Sequence, residues 1–85
     1  MDFGLKGRTA MIAAASKGLG KACALALAQE GCNVSICSRN SETLGKTHEE
    51  IAKYADVLSV VADVSSLAGL ESWYRQTVEK FGHVD

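Results

Sequence analysis

Apolar positions along this chain switch between two spacings. Thr9-Ala10-Met11-Ile12-Ala13-Ala14 is a continuous, largely apolar run, the pattern of a short strand buried on both faces. Beyond it Leu19, Ala22, Cys23, Ala26 and Leu27 fall on one helical face, which predicts a helix from Leu19 to Glu30, and Gly31 supplies its stop. Val34-Ser35-Ile36-Cys37 is β-branched and apolar enough for a second strand. Ser41 is placed to cap a second helix, weakened at Gly45 by ~1 kcal/mol relative to alanine, with a buried stripe of Leu44, His48, Ile51, Ala52 and Ala55. Val57 to Ala62 forms the third and clearest strand. Ser65 or Ser66 then opens a third helix whose stripe is Leu67, Leu70, Tyr74, Val78 and Phe81. Gly82 ends it, and His83-Val84-Asp85 reads as the approach to a fourth strand.

The order β-α-β-α-β-α with short connections predicts an α/β fold. Its sheet is expected to be parallel, with right-handed crossovers and strand order 3-2-1. No internal repeat or low-complexity stretch competes with that reading, and the three units differ in their glycines. The expected architecture is one half of a doubly wound sheet.

Composition narrows the class. The 85 residues are 47% hydrophobic and 22% charged, with a mean hydropathy of +0.04, which is globular rather than disordered. The longest uninterrupted apolar run, Ala22 to Ala28, falls far short of the ~18 residues a membrane span needs. No basic segment leading into an apolar core opens the chain, so a secretory leader is not expected and a cytoplasmic location is. The first 40 residues carry five basic and two acidic side chains, and the remainder four basic and eight acidic. Five scattered cations make a weak footprint for nucleic acid, and a solvated surface explains them better. Cys23, Cys32 and Cys37 include no Cys-x-x-Cys pair, and His48-Glu49-Glu50 lacks the second histidine of a zinc helix. Reduced, buried thiols and no metal site are expected.

Chemistry concentrates where strands meet helices. The first strand runs into Ala15-Ser16-Lys17-Gly18-Leu19-Gly20 at the head of the first helix. Glycines at such a junction let the backbone turn tightly and approach a ligand, and the helix N-terminus suits a pyrophosphate. Close helix–strand packing is the other explanation of the same glycines. At the end of the second strand, NAD-preferring dinucleotide folds place an acid to accept from the ribose hydroxyls. Here the residues are Cys37-Ser38-Arg39-Asn40, with no acid until Glu42. An arginine there pairs with a 2′-phosphate, and Lys17 adds a second cation, which points to NADP(H). A solvated loop arginine is the plainer alternative. After the third strand, Asp63 can accept from an exocyclic amine while Val64 offers an apolar contact to a base, although Asp63 alone serves equally well as a helix-leading cap.

Together these segments resemble the N-terminal part of the short-chain dehydrogenase/reductase family, most closely its 3-oxoacyl-carrier-protein-reductase-like members. Leu5-Lys6-Gly7-Arg8-Thr9-Ala10 matches the family's lead-in, and Ala13-Ala14-Ala15-Ser16-Lys17-Gly18-Leu19-Gly20 aligns with its Thr-Gly-x-x-x-Gly-x-Gly turn. Ser38-Arg39-Asn40 matches the NADP-preferring ribose loop, Asp63-Val64 the adenine-contacting pair, and Phe81 to Asp85 the lead-in to a fourth strand. The resemblance implies that residues 1–85 are the N-terminal half of a Rossmann-type dinucleotide-binding domain, with cofactor contacts at Ala14, Ser16, Lys17, Gly18, Leu19, Gly20, Ser38, Arg39, Asn40, Asp63 and Val64. It also implies hydride transfer between NADP(H) and a carbonyl or alcohol, and a homo-oligomeric parent.

Two departures stand out. Ala13 and Ala14 replace the usual Thr and Gly, and a Cβ at Ala14 would cost ~1–2 kcal/mol in a left-handed conformation. The family's Asn-Asn-Ala-Gly stretch, catalytic Ser and Tyr-x-x-x-Lys pair have no counterpart, since Leu58 follows Tyr54 and Val78 follows Tyr74 at the lysine spacing. The expected protein is therefore the NADP-binding half of an oxidoreductase, truncated and inactive alone. The competing readings are a free-standing nucleotide-binding module, an assembly fragment with a vestigial glycine turn, and, more distantly, a flavodoxin- or receiver-like domain. The first strand, with an open edge, is expected to drive self-association.

Overall fold

Residues 7–13 and 18–84 are described by the structure, a computed structural model. The chain runs through β1 (Thr9–Ala13), α1 (Gly18–Gln29), β2 (Asn33–Ser38), α2 (Ser41–Ala52), β3 (Val57–Val61) and α3 (Leu67–Phe81). The six elements appear in the order expected from the spacing. The strands form one parallel sheet with β2 between β1 and β3, the expected 3-2-1 arrangement. Register pairs Thr9 with Asn33 through Ala13 with Cys37, and Val34 with Val57 through Ser38 with Val61.

Because side chains alternate along a strand, the two faces of this sheet collect different partners. Val34 and Ile36 point toward α1 and α2, joining Ala24, Ala28, Cys32, Leu44, Ile51 and Val57 in the larger core. Ser35 and Cys37 point the other way, where Trp73 and Val60 form a smaller one with Met11 and Leu58 at its margin. Ala24 and Ala28 carry no bulk, so α1 lies close against the sheet. A Lys21–Glu50 ion pair of 2.9 Å joins α1 to α2 on the exposed side.

Five sequence expectations need correction. β1 is not buried on both faces: Thr9 is buried, Ala10, Met11 and Ile12 are half-buried and Ala13 is exposed. It pairs with β2 alone among the described residues, and the fully covered central strand is β2. The cap of α2 is Asn40 rather than Ser41, because its extended backbone (φ −98°, ψ 105°) lets Oδ1 accept from the Glu42 and Thr43 N–H groups. Its buried stripe is Leu44, Thr47 and Ile51, while Ala52 is exposed and His48 bonds Ser59 at 2.9 Å. In α3, capped at Ser66, the buried residues are Trp73 and Thr77, whereas Leu67, Leu70 and Tyr74 are 71%, 43% and 54% exposed. The richer apolar stripe of α3 is therefore not the one buried against the sheet. Of the cysteines, Cys32 and Cys37 are buried but Cys23 is exposed, and none of the three is in a disulfide.

What turns α3 onto its Trp73 side is a buried polar lock. The Trp73 indole N–H donates to Ser35 Oγ at 2.8 Å, and Thr77 Oγ1 donates to the Trp73 carbonyl at 2.8 Å. The Thr77 proton is thus committed, so the Ser35 hydroxyl donates to Thr77 Oγ1 across their 2.7 Å contact. Ser35→Ala leaves the indole N–H buried without its acceptor and is expected to cost about 1–3 kcal/mol. Urea unfolding followed by Trp73 fluorescence, the chain's one tryptophan, measures it. An unchanged midpoint would show that the lock contributes nothing.

At the far end of α3, Gly82 N–H bonds the Val78 carbonyl and the chain turns back toward β1. His83 Nε2 lies 3.1 Å from the Gly7 carbonyl oxygen and 3.4 Å from Thr9 Oγ1. This fixes the end of the third βα unit beside the start of the first.

Candidate functional site

In parallel α/β sheets ligands bind beyond the C-terminal ends of the strands. Here those ends meet in a cleft of about 440 Å³ formed by the segments after β2 and β3. Cys37, Ser38, Arg39 and Asn40 line it from one side and Ala62, Asp63, Val64 and Ser65 from the other. The Ala62 N–H bonds the Ser38 carbonyl at 3.2 Å, which carries the pairing one step past the strands and holds the two segments together.

Each segment is shaped by short-range hydrogen bonds. Ser38 Oγ accepts from the Asn40 N–H at 3.2 Å, and the Asn40 amide caps α2, so Arg39 is presented at an exposed bend between two fixed residues. Asp63 Oδ1 accepts from the Ser65 N–H at 2.9 Å and the Ser65 hydroxyl at 2.6 Å. These bonds, the hydroxyl first, hold the Asp63 carboxyl below the usual carboxylate range, and the Arg39 charge adds a smaller pull in the same direction. The order they impart is complete above the ordinary carboxylate range and is lost as pH falls through the lowered value of Asp63. Under the cleft, burial first and the Asp63 charge in addition push the Cys37 thiol up, against a smaller opposing backbone hydrogen bond at Ala62; the thiol itself donates to the Ala62 carbonyl at 3.4 Å. The thiol therefore stays protonated at neutral pH and serves as a tie between strands.

Gly18 opens α1 with φ +25°, on the left-handed side where a Cβ is penalised. Gly20 follows it in the first turn, and Leu19 lies between them in the helix. Ala14, Ser16 and Lys17 fall outside the described residues. Of the residues singled out in sequence, the structure brings Ser38, Arg39, Asn40, Asp63 and Val64 into one cleft. The sequence pattern marks neither Cys37 nor Ala62 as a cleft residue and gives Ser65 only as a helix opener, yet all three line the cleft. The Asp-x-Ser spacing was the available signal, since Asx-type turns use it to lock a carboxylate.

A larger groove of about 850 Å³ lies between β1 and α3, lined by Met11, Ala13, Leu70, Trp73, Tyr74 and Val78. Its lining is apolar apart from Glu71, Arg75 and Glu79. The polar cleft is the better candidate for a charged small molecule.

The sequence profile of the family described as "short chain dehydrogenase" matches residues 8–85. The chain belongs to that family. Levodione reductase of Leifsonia aquatica is 40% identical over 81 residues, covering 92% of this chain and 30% of that protein. The rhamnolipids biosynthesis 3-oxoacyl-[acyl-carrier-protein] reductase of Pseudomonas aeruginosa is 37% identical over 67 residues, covering 79% and 26%. L-sorbose reductase of Gluconobacter frateurii, solved with NADPH and L-sorbose, superposes on all of this chain and 33% of its own with a TM-score of 0.94 and 30% identity. The sheet is thus the Rossmann-type sheet of short-chain dehydrogenases, and the chain spans about a third of the length of the relatives it matches. Among the described residues, no helix is long and apolar enough to cross a membrane.

Proposed function

We propose that the cleft takes the adenosine end of NADP(H), and that residues 1–85 are the first part of a dinucleotide-binding domain of an oxidoreductase acting on a carbonyl or alcohol. The observation that carries this is Arg39, the exposed cation at the end of β2, set where an NAD-preferring site would hold an acid. The cleft fits the group in size, and its donor set divides suitably: a guanidinium for a 2′-phosphate, a carboxylate for an exocyclic amine, and Val64 for the face of a base. Gly18 and Gly20, with Ala14 and Ser16 before them, would meet the pyrophosphate at the start of α1, and Lys17 would add its charge at the 2′-phosphate. The dinucleotide, when bound, supplies the hydride; these residues bind and orient its adenosine half. Association of copies through the open edge of β1 belongs to the same reading.

Calorimetric titration of the chain with NADPH and with NADH tests it. NADPH is expected to bind the more tightly, and equal affinity, or none for either, would contradict the proposal. Mixed with NADPH and carbonyl compounds, the chain is expected to show no cofactor oxidation above the buffer rate, since the family's Ser, Tyr and Lys have no counterpart in it. Sustained turnover by a pure preparation would overturn that part.

A further inference from the structure

Gly69 lies in the first turn of α3, directly beneath the segment that carries Asp63 and Val64. A Cβ placed there would overlap the Asp63 carbonyl oxygen and come within 3.0 Å of both the Asp63 carbonyl carbon and Ser66 Oγ. The obstacle is backbone, so no rotamer change relieves it. The same carbonyl oxygen accepts from the Ser66 N–H at 3.2 Å and the Ser66 hydroxyl at 3.1 Å, while Ser66 Oγ accepts from the Gly69 N–H at 3.0 Å. The Asp63 peptide is thus seated on the helix at the one place where a side chain is missing. Gly45, in α2, shows the contrast: a Cβ there meets nothing within 4 Å among the described residues.

We propose that Gly69 is a positioning residue for adenine recognition, its bare Cα setting the height at which Asp63 and Val64 meet the base. The inference rests on the reading that these two residues contact adenine. It adds a residue six positions downstream that touches no ligand and acts through the main chain of Asp63. The lowered pKa of the Asp63 carboxyl agrees with a segment held in one arrangement by Ser65.

The test is a ratio of affinities: NADPH against its hypoxanthine analogue, which lacks the exocyclic amine, with NADPH against NADH as a second ratio. A carboxylate–amine hydrogen bond should favour adenine by about tenfold or more in the unaltered chain. Gly69→Ala, a change that ordinarily strengthens a helix, is expected to bring the adenine preference to within about twofold while the NADPH preference persists. Gly45→Ala should leave both ratios alone. Asp63→Asn should abolish the adenine preference. Should Gly69→Ala retain the preference while Asp63→Asn loses it, the inference falls and the base contact stands. Retention by both, or no nucleotide binding by the unaltered chain, removes the base contact and the inference together. Ser66→Ala covers the case in which Gly69→Ala does not fold, because it removes the hydroxyl that ties the Asp63 carbonyl to the Gly69 N–H, leaving only the Ser66 N–H on that carbonyl, without adding bulk. An undiminished adenine preference in that variant would also overturn the proposal.

Discussion

Arg39→Ala is expected to weaken NADPH binding by roughly 10- to 150-fold and to leave NADH nearly unchanged. The range follows from the ~1.5–3 kcal/mol typical of a hydrogen bond to a charged group. Arg39 is exposed, and the bend that presents it is fixed by Ser38 and Asn40 on either side, so the substitution removes a charge without disturbing a core. Asp63 lies close enough for the Arg39 charge to lower its pKa, so the loss also leaves the cleft more negative and further disfavours a phosphate. Competition titrations with both cofactors, at one salt concentration, give the two ratios. Equal losses would mean that Arg39 supports the cleft without contacting the 2′-phosphate.

The chain by itself is expected to self-associate at micromolar concentration. β1 has no partner on its outer edge among the described residues, and its sequence contains neither proline nor a charged side chain to discourage pairing. Beside that edge lies the apolar groove, with Leu70, Tyr74 and Val78 of α3 forming one wall. A second copy brings both features to the same contact: an unpaired edge for the edge and an apolar face for the face, which a two-fold arrangement satisfies reciprocally. Sedimentation velocity should show dimers or larger species, and Tyr74→Lys, which adds a charge at an exposed position in the groove, should shift them toward monomer. A monodisperse 9.0 kDa species that unfolds cooperatively would show that the three-stranded sheet is self-sufficient, and would favour a free-standing nucleotide-binding module.

Sequence periodicity was enough to order the six elements and the sheet because each βα unit closes locally. Val34 and Ile36 must be covered on one face, and the helices flanking β2 are the nearest elements that can do so. Periodicity failed at α3 for a physical reason. Its most hydrophobic stripe, Leu67, Leu70 and Tyr74, is not the one that packs, since the Ser35–Trp73–Thr77 lock selects a more polar face that no hydrophobicity pattern ranks first. The same limit applies to the cleft. Arg39 and Asp63 announce themselves by type and position, whereas Ser65 and Gly69 act through hydrogen bonds and a close approach that exist only once the segment after β3 folds back on α3.

On the proposed function, the cleft between the ends of β2 and β3 receives an adenosine bearing a 2′-phosphate. Residue-resolved NMR titration of the isotopically labelled chain with adenosine 2′,5′-bisphosphate tests it most directly, with 5′-AMP as the comparison. Amide shifts are expected to gather at Cys37, Ser38, Arg39 and Asn40 and at Asp63, Val64 and Ser65, with the Arg39 response much reduced for 5′-AMP. Shifts gathered instead along Leu70, Tyr74 and Val78, or a response at Arg39 identical for the two ligands, would contradict it.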